Sequence, residues 1–109
     1  MRLNINDIGG KIVKEDDRYV VIDNTFLKNL IISSTDLKPG KSTSGHSHPG
    51  QEEVYNFVKG NGQMKIEDKT FPVSEGDVIL IEDGKFHQVI NNSKENLYFV
   101  CVFDGSRNH

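Results

Sequence analysis

The sequence predicts an all-β single domain, either a sandwich or a barrel, on three observations. Eight or so short runs rich in Val, Ile, Phe and Tyr recur along its 109 residues. Turn-forming residues separate them at roughly even spacing, and no segment shows the apolar periodicity of an amphipathic helix of three turns or more. Closing such a sheet on itself removes the exposed edges that many short strands would otherwise present. A hydrophobic share of 35% and a charged share of 27% suit one domain with a modest core.

Taken in order, the elements are unequal in strength. Met1 to Asp17 reads as an N-terminal arm, with Leu3, Ile5 and Ile8 as an edge strand broken by Gly9-Gly10. Arg18 to Asp23 is a β-rich run closed by Asp23-Asn24, and Phe26 to Asp36 is a longer one ending at the turn Lys38-Pro39-Gly40. Val54 to Val58 alternates as a strand should. Gly60-Asn61-Gly62 then carries a hairpin signal, so Gln63 to Glu67 is expected to pair back on it. After a turn at Asp68-Lys69 comes Thr70 to Val73, where Pro72 lacks an amide hydrogen and belongs at a sheet edge or a bulge. Asp77 to Ile81, a turn at Glu82-Asp83-Gly84, Phe86 to Ile90 and Leu97 to Phe103 complete the set. The barrel thus spans 18–103, and 104–109 reads as a mobile tail in which His109 has no role.

Composition excludes several classes of function. A net charge of −3 with scattered lysines and arginines gives no electrostatic footprint for nucleic acid. No long apolar run suggests a membrane span, and Met1 to Gly10 lacks the apolar core of a signal peptide. The single cysteine, Cys101, has no internal disulfide partner, so a cytoplasmic location is expected. Neither a phosphate loop nor a dinucleotide fingerprint is present, and no Ser-His-Asp arrangement follows from the spacing.

The densest chemistry lies in His46-Ser47-His48-Pro49-Gly50-Gln51-Glu52-Glu53. Two histidines one residue apart point to the same side of an extended segment. A carboxylate follows five residues after His48, across a Pro-Gly turn able to fold it back, and His87 lies in a second Gly-bounded segment. Three imidazoles and one carboxylate form a set that binds a divalent first-row metal.

In spacing, the first segment runs Gly40, five residues, His46, one residue, His48, four residues, Glu53, six residues, Gly60. The second runs Gly76, ten residues, His87, three residues, Asn91. Together they resemble the two motifs of the cupin superfamily, at the short separation of its small single-domain members. The resemblance covers about half the chain by motif and nearly all of it by strand order. It implies a double-stranded β-helix, or jelly-roll, usually a homodimer, with one divalent transition metal (Mn, Fe, Ni, Co, Cu or Zn) on His46, His48, Glu53 and His87. Glu53 is preferred over Glu52 because it stands six residues before Gly60. One departure is Glu82, where the second motif usually has proline and its fixed backbone angle.

Such a ligand set leaves positions open for a substrate, which separates a catalytic metal site from a closed structural one. The expected function is that of a metal-binding cupin acting on a small oxygenated metabolite, such as a sugar, keto acid or diol. Isomerase or epimerase chemistry and oxygen-dependent, dioxygenase-like cleavage are both typical of the family; the alternative is a binding or sensing protein without turnover. Tyr55 and Phe57 share the parity of Glu53 and line the same interior. Phe57 is read as core, and Tyr55 as the candidate catalytic residue, because a buried hydroxyl needs a partner. Gln51 is a candidate to support the ligands, Asn91 to make a structural hydrogen bond, and Cys101 to be a buried small residue.

Overall fold

The computed structural model describes residues 1–105. Among these residues there are nine strands: β1 (Lys11–Glu15), β2 (Tyr19–Asn24), β3 (Leu30–Leu37), β4 (Glu53–Lys59), β5 (Asn61–Ile66), β6 (Lys69–Ser74), β7 (Val78–Ile81), β8 (His87–Ile90) and β9 (Leu97–Asp104). They form a six-stranded sheet in the order β1-β2-β3-β9-β4-β7 and a three-stranded sheet in the order β6-β5-β8. All pairings are antiparallel. The described residues contain no helix, and therefore none long and apolar enough to cross a membrane.

Period-two alternation sets the inner face. Along β4, Glu53, Tyr55 and Phe57 are buried, while the residues between them are not. Opposite them on β9 stand Phe103, Cys101 and Phe99 in direct register. Leu37, Met64, Val73, Ile81, Val89 and Leu97 fill the space between the two sheets. The stacked Tyr55 and Phe99 rings, 5.6 Å apart, join the core to the polar end of the barrel.

The structure differs from the sequence expectations at four places. The edge strand falls at Lys11–Glu15, and not at Leu3 to Ile8. In place of a strand pairing, the earlier segment makes a tight local bridge, Asn4 to Asp7, closed by side-chain turns at both residues, and is tied down by Tyr98 donating to the Ile5 carbonyl and Asn24 to the Ile8 carbonyl. Asn61-Gly62 is not a hairpin turn: β4 pairs with β9 and β7, whereas β5 pairs with β6 and β8. Gly60 instead carries the chain from one sheet to the other at φ 91°, and a Cβ there would stand 2.5 Å from the Asn96 carbonyl oxygen. The β5–β6 turn lies one residue earlier than expected, at Glu67-Asp68, with Glu67 itself at φ 54°. Pro72 does sit on an edge strand, β6. Asp104 closes β9 instead of opening a tail, and residues 106–109, including His109, lie outside the described residues.

Candidate metal centre

The segment from Lys41 to Gln51 is a connection in sequence but nearly a strand in space. Thr43 N donates to the Val89 carbonyl at 2.9 Å, and Asn91 N donates to the Lys41 carbonyl at 2.8 Å. His46 and His87 exchange both backbone bonds, at 3.2 and 3.0 Å. The Thr43 hydroxyl accepts from Val89 N at 3.0 Å and fastens the segment further. This ladder holds two distant histidines face to face. Their rings meet edge-on with centroids 4.7 Å apart, and the His48 ring lies 4.3 Å from that of His46.

The turn after His48 brings in the carboxylate. Gln51 N donates to the His48 carbonyl at 3.0 Å, and Gly50 adopts φ 86°. Gly50 N also donates to the Asp83 carboxylate at 2.6 Å, tying this turn to the one before β8. The turn that carries Glu82 where proline was expected is closed by Lys85 N donating to the Glu82 carbonyl, at 3.2 Å, with Gly84 at φ 76°. Hydrogen bonds thus hold the turn without proline. The chain then enters β4 with Glu52 exposed on the outer face and Glu53 buried on the inner one.

Ligand atoms of His46, Glu53 and His87 all lie within 4.8 Å of one another. His48 joins them by ring contact, its centroid 6.0 Å from that of His87. His87 is only 2% exposed. Its Nδ1 lies 3.0 Å from the Lys85 carbonyl, which accepts a hydrogen bond only if Nδ1 carries the proton. The lone pair of the neutral ring is then on Nε2, which is buried without a hydrogen-bond partner and stands 3.6 Å from the Glu53 carboxylate. A buried acceptor left unpartnered costs free energy unless something fills it. A divalent cation on Nε2 and the carboxylate would satisfy both, and a carbonyl holding the far nitrogen is the usual support for a metal-binding imidazole.

The electrostatics agree. Burial disfavours the His87 imidazolium, but the Glu53 carboxylate and the Lys85 carbonyl more than offset it, so its pKa is raised. The place beside the Glu53 carboxylate thus favours positive charge. Tyr55 and Cys101 behave oppositely: burial drives both pKa values well above their ordinary range, with the nearby Glu53 carboxylate adding to the effect. Both stay protonated near neutral pH.

A cavity of about 470 Å³ adjoins these residues. His46, His48, Glu53, Tyr55 and Cys101 form one side, and Tyr19, Val21, Asp23, Ser33 and Thr35 another, with Val13, Lys14, Thr43 and Ser44 also on its wall. Sequence reasoning placed the residues of β4 there but missed those of β1 to β3. Hydroxyls at Ser33 and Thr35, on alternate positions of β3, were the available signal. Gln51 is buried, its amide donating to the Asp104 carbonyl at 3.1 Å, while its own carbonyl has no partner. Asn91 is fully buried and bonds the Leu37 and Glu95 carbonyls at 3.0 and 2.8 Å, a purely structural role.

A family model for the cupin domain matches residues 33–103. The chain belongs to the cupin family. Among relatives of this cupin, an oxalate-binding protein of Thermotoga maritima is 31% identical over 75 residues, covering 69% of this chain and 62% of that protein. This cupin therefore spans less than two thirds of that relative's length. A solved structure described as a predicted oxalate decarboxylase, also from Thermotoga maritima, superposes with a TM-score of 0.79 at 22% identity over 95% of this chain and 98% of that one. The oxalate decarboxylase of Lactobacillus farciminis, in a formate complex, gives 0.76 at 25% identity over 83% of this chain and 30% of that one. The double-stranded β-helix expected from the motifs is the fold observed, and a His-His-Glu cluster able to hold a metal lies within it.

Proposed function

We propose that this cupin binds one divalent transition metal per chain through His46, His48, Glu53 and His87, and acts on a small oxygenated metabolite held in the adjoining cavity. The observation that carries the reading is the buried His87 Nε2, without a hydrogen-bond partner, beside the Glu53 carboxylate. A bound divalent ion supplies Lewis-acid polarisation of a carbonyl, carboxylate or enediol oxygen. The protein does the rest. The Lys85 carbonyl keeps the proton on the far side of His87, and the buried wall of Tyr55, Phe99 and Phe103 limits water at the inner end. Serine and threonine hydroxyls on the wall offer donors to ligand oxygens, and Tyr55 offers a proton that is retained at neutral pH. The names of the relatives support an oxygen-rich acid such as oxalate, with keto acids, sugars and diols in the same chemical class.

A second reading, binding or sensing without turnover, is favoured by one observation. The carboxylates on the cavity wall are Asp23 and Glu53, and Glu53 is assigned to the metal, while Tyr55 and Cys101 hold their protons. Tyr55 and Cys101 therefore offer no base near neutral pH. The exposed apolar residues Phe26, Leu27 and Leu30 border a small groove and support a homodimer, and a cytoplasmic location remains part of the proposal.

The test is to load the purified chain with each candidate metal and to incubate it with oxalate, keto acids and diols, following oxygen uptake, product formation and binding heat. Metal-dependent turnover supports the enzyme, and oxygen uptake directs it to dioxygenase-like chemistry. Metal-dependent binding without product leaves the second reading. Binding that ignores the metal would refute both.

A further inference from the structure

The first two strands of the large sheet contain an irregularity that changes what the cavity presents. Lys11 stands opposite Asp23 and Ile12 opposite Ile22, but the next paired residue is Lys14, opposite Val21, leaving Val13 over. Without this bulge, Val13 would face Val21, and Lys14 would take the parity of Val20 on the outer side. The extra residue turns Lys14 onto the face shared by Tyr19, Val21 and Asp23, which line the cavity. Its ammonium lies 5.8 Å from the centre of the Tyr19 ring.

The neighbouring cation is already committed. Arg18 pairs with Asp16 at 2.9 Å, stacks over Tyr19, and donates to the Ser44 hydroxyl at 3.0 Å. Among the described residues Lys14 makes no ion pair, and Asp23 is the other charged side chain on its wall. Lys14 and Glu53 sit at opposite sides of the cavity. Their strands are four ladder steps apart, roughly 19 Å along the sheet at the usual strand spacing. A ligand that engages both the metal end and Lys14 therefore needs two separated anionic groups.

We propose that Lys14 is a specificity-determining residue that takes a second anionic group of the ligand. The cavity then selects a dianionic acid, with oxygens for the metal at one end and a carboxylate several bonds away at Lys14. This rests on the proposed metal site at His46, His48, Glu53 and His87. Asp23, on the same wall, accepts from a hydroxyl on such an acid and repels an anion placed beside it, which confines the carboxylate to the Lys14 side.

The test uses manganese-loaded full chain, titrated calorimetrically with 2-oxoglutarate and with pyruvate, which share a chelating keto-acid end but differ in the second carboxylate. Wild type should bind the dianion more tightly. Lys14→Met should weaken 2-oxoglutarate about tenfold and pyruvate by less than about twofold, because the lost interaction is one charge-assisted contact. Lys14→Arg should retain most of the preference, and neither variant should alter metal content or melting temperature. If both acids bind wild type only with metal, yet Lys14→Met changes neither or weakens both alike, the role of Lys14 is overturned while the metal reading stands. If neither acid shows metal-dependent binding to wild type, the metal reading fails and takes the Lys14 assignment with it.

Discussion

Replacing Glu53 by glutamine, with Glu52→Gln as its control, separates a metal ligand from an adjacent surface acid. The two side chains are chemically identical neighbours that point to opposite sides where the chain enters β4. Glu53 is 7% exposed and 3.6 Å from His87 Nε2, whereas Glu52 is exposed. Removing a group that merely supports a ligand typically weakens metal binding by roughly 10- to 100-fold, so losing the charged ligand itself should exceed about a hundredfold. Glu52→Gln should stay within about threefold, as expected for an exposed charge screened by water and salt. Glutamine keeps the shape of glutamate, so both variants should fold. Competition with a chromophoric chelator gives the affinities, and thermal melts with and without metal give an independent readout. The metal-free melts carry a further signature. A raised His87 pKa contributes stability that is fully present below the unfolded value of 6.5 and is lost as pH rises through the folded value. Metal-free wild type should therefore gain on Glu53→Gln toward acid pH, and the difference should close toward alkaline pH. Equal losses of metal in the two variants would refute the assignment of Glu53.

Other expectations follow from the same geometry. Metal retention should fall as pH drops through the histidine range near 6.5, because protons compete for the imidazoles, and retention that stays flat to pH 5 would contradict it. Asn91→Ala should cost about 2–4 kcal/mol in urea denaturation, since it strips buried partners from the Leu37 and Glu95 carbonyls and leaves a void, yet metal affinity per folded chain should not change. Gly60→Ala should cost about 1–3 kcal/mol, because φ 91° and a 2.5 Å approach to the Asn96 carbonyl both oppose a side chain; a melt indistinguishable from wild type would mean that the crossing between sheets is less constrained than its geometry implies. Cys101 should resist alkylation in the native protein and react only on unfolding, given its burial and upward-shifted pKa.

Much of this architecture was legible from local chemistry. Alternation on β4 and β9, the Pro-Gly turns at Lys38 to Gly40 and at Pro49-Gly50, and the edge placement of Pro72 each follow from rules acting over a few residues. The grouping of His46, Glu53 and His87 was legible for another reason, since motif spacing encodes a tertiary arrangement that periodicity alone does not. What escaped was set by register and closure. Asn61-Gly62 resembles a hairpin turn, but Gly62 is small because a Cβ would stand 2.6 Å from Leu97 and 2.7 Å from the Ile90 carbonyl oxygen. The pairing of the Lys41 to His46 segment with β8, the clasp from Asp83 to Gly50, and the bulge that turns Lys14 inward all join residues distant in sequence or depend on a one-residue shift. Alternation alone does not reveal such a shift.

The central claim is that His46, His48, Glu53 and His87, of which Glu53 and His87 are buried, form a metal centre. Elemental analysis of the chain, purified without added metal or a histidine tag and then reconstituted, tests it most directly. The account predicts one tightly held divalent transition metal per chain, retained through gel filtration by wild type and Glu52→Gln and lost from Glu53→Gln. A folded wild-type chain that carries no metal and takes none up on reconstitution would contradict it.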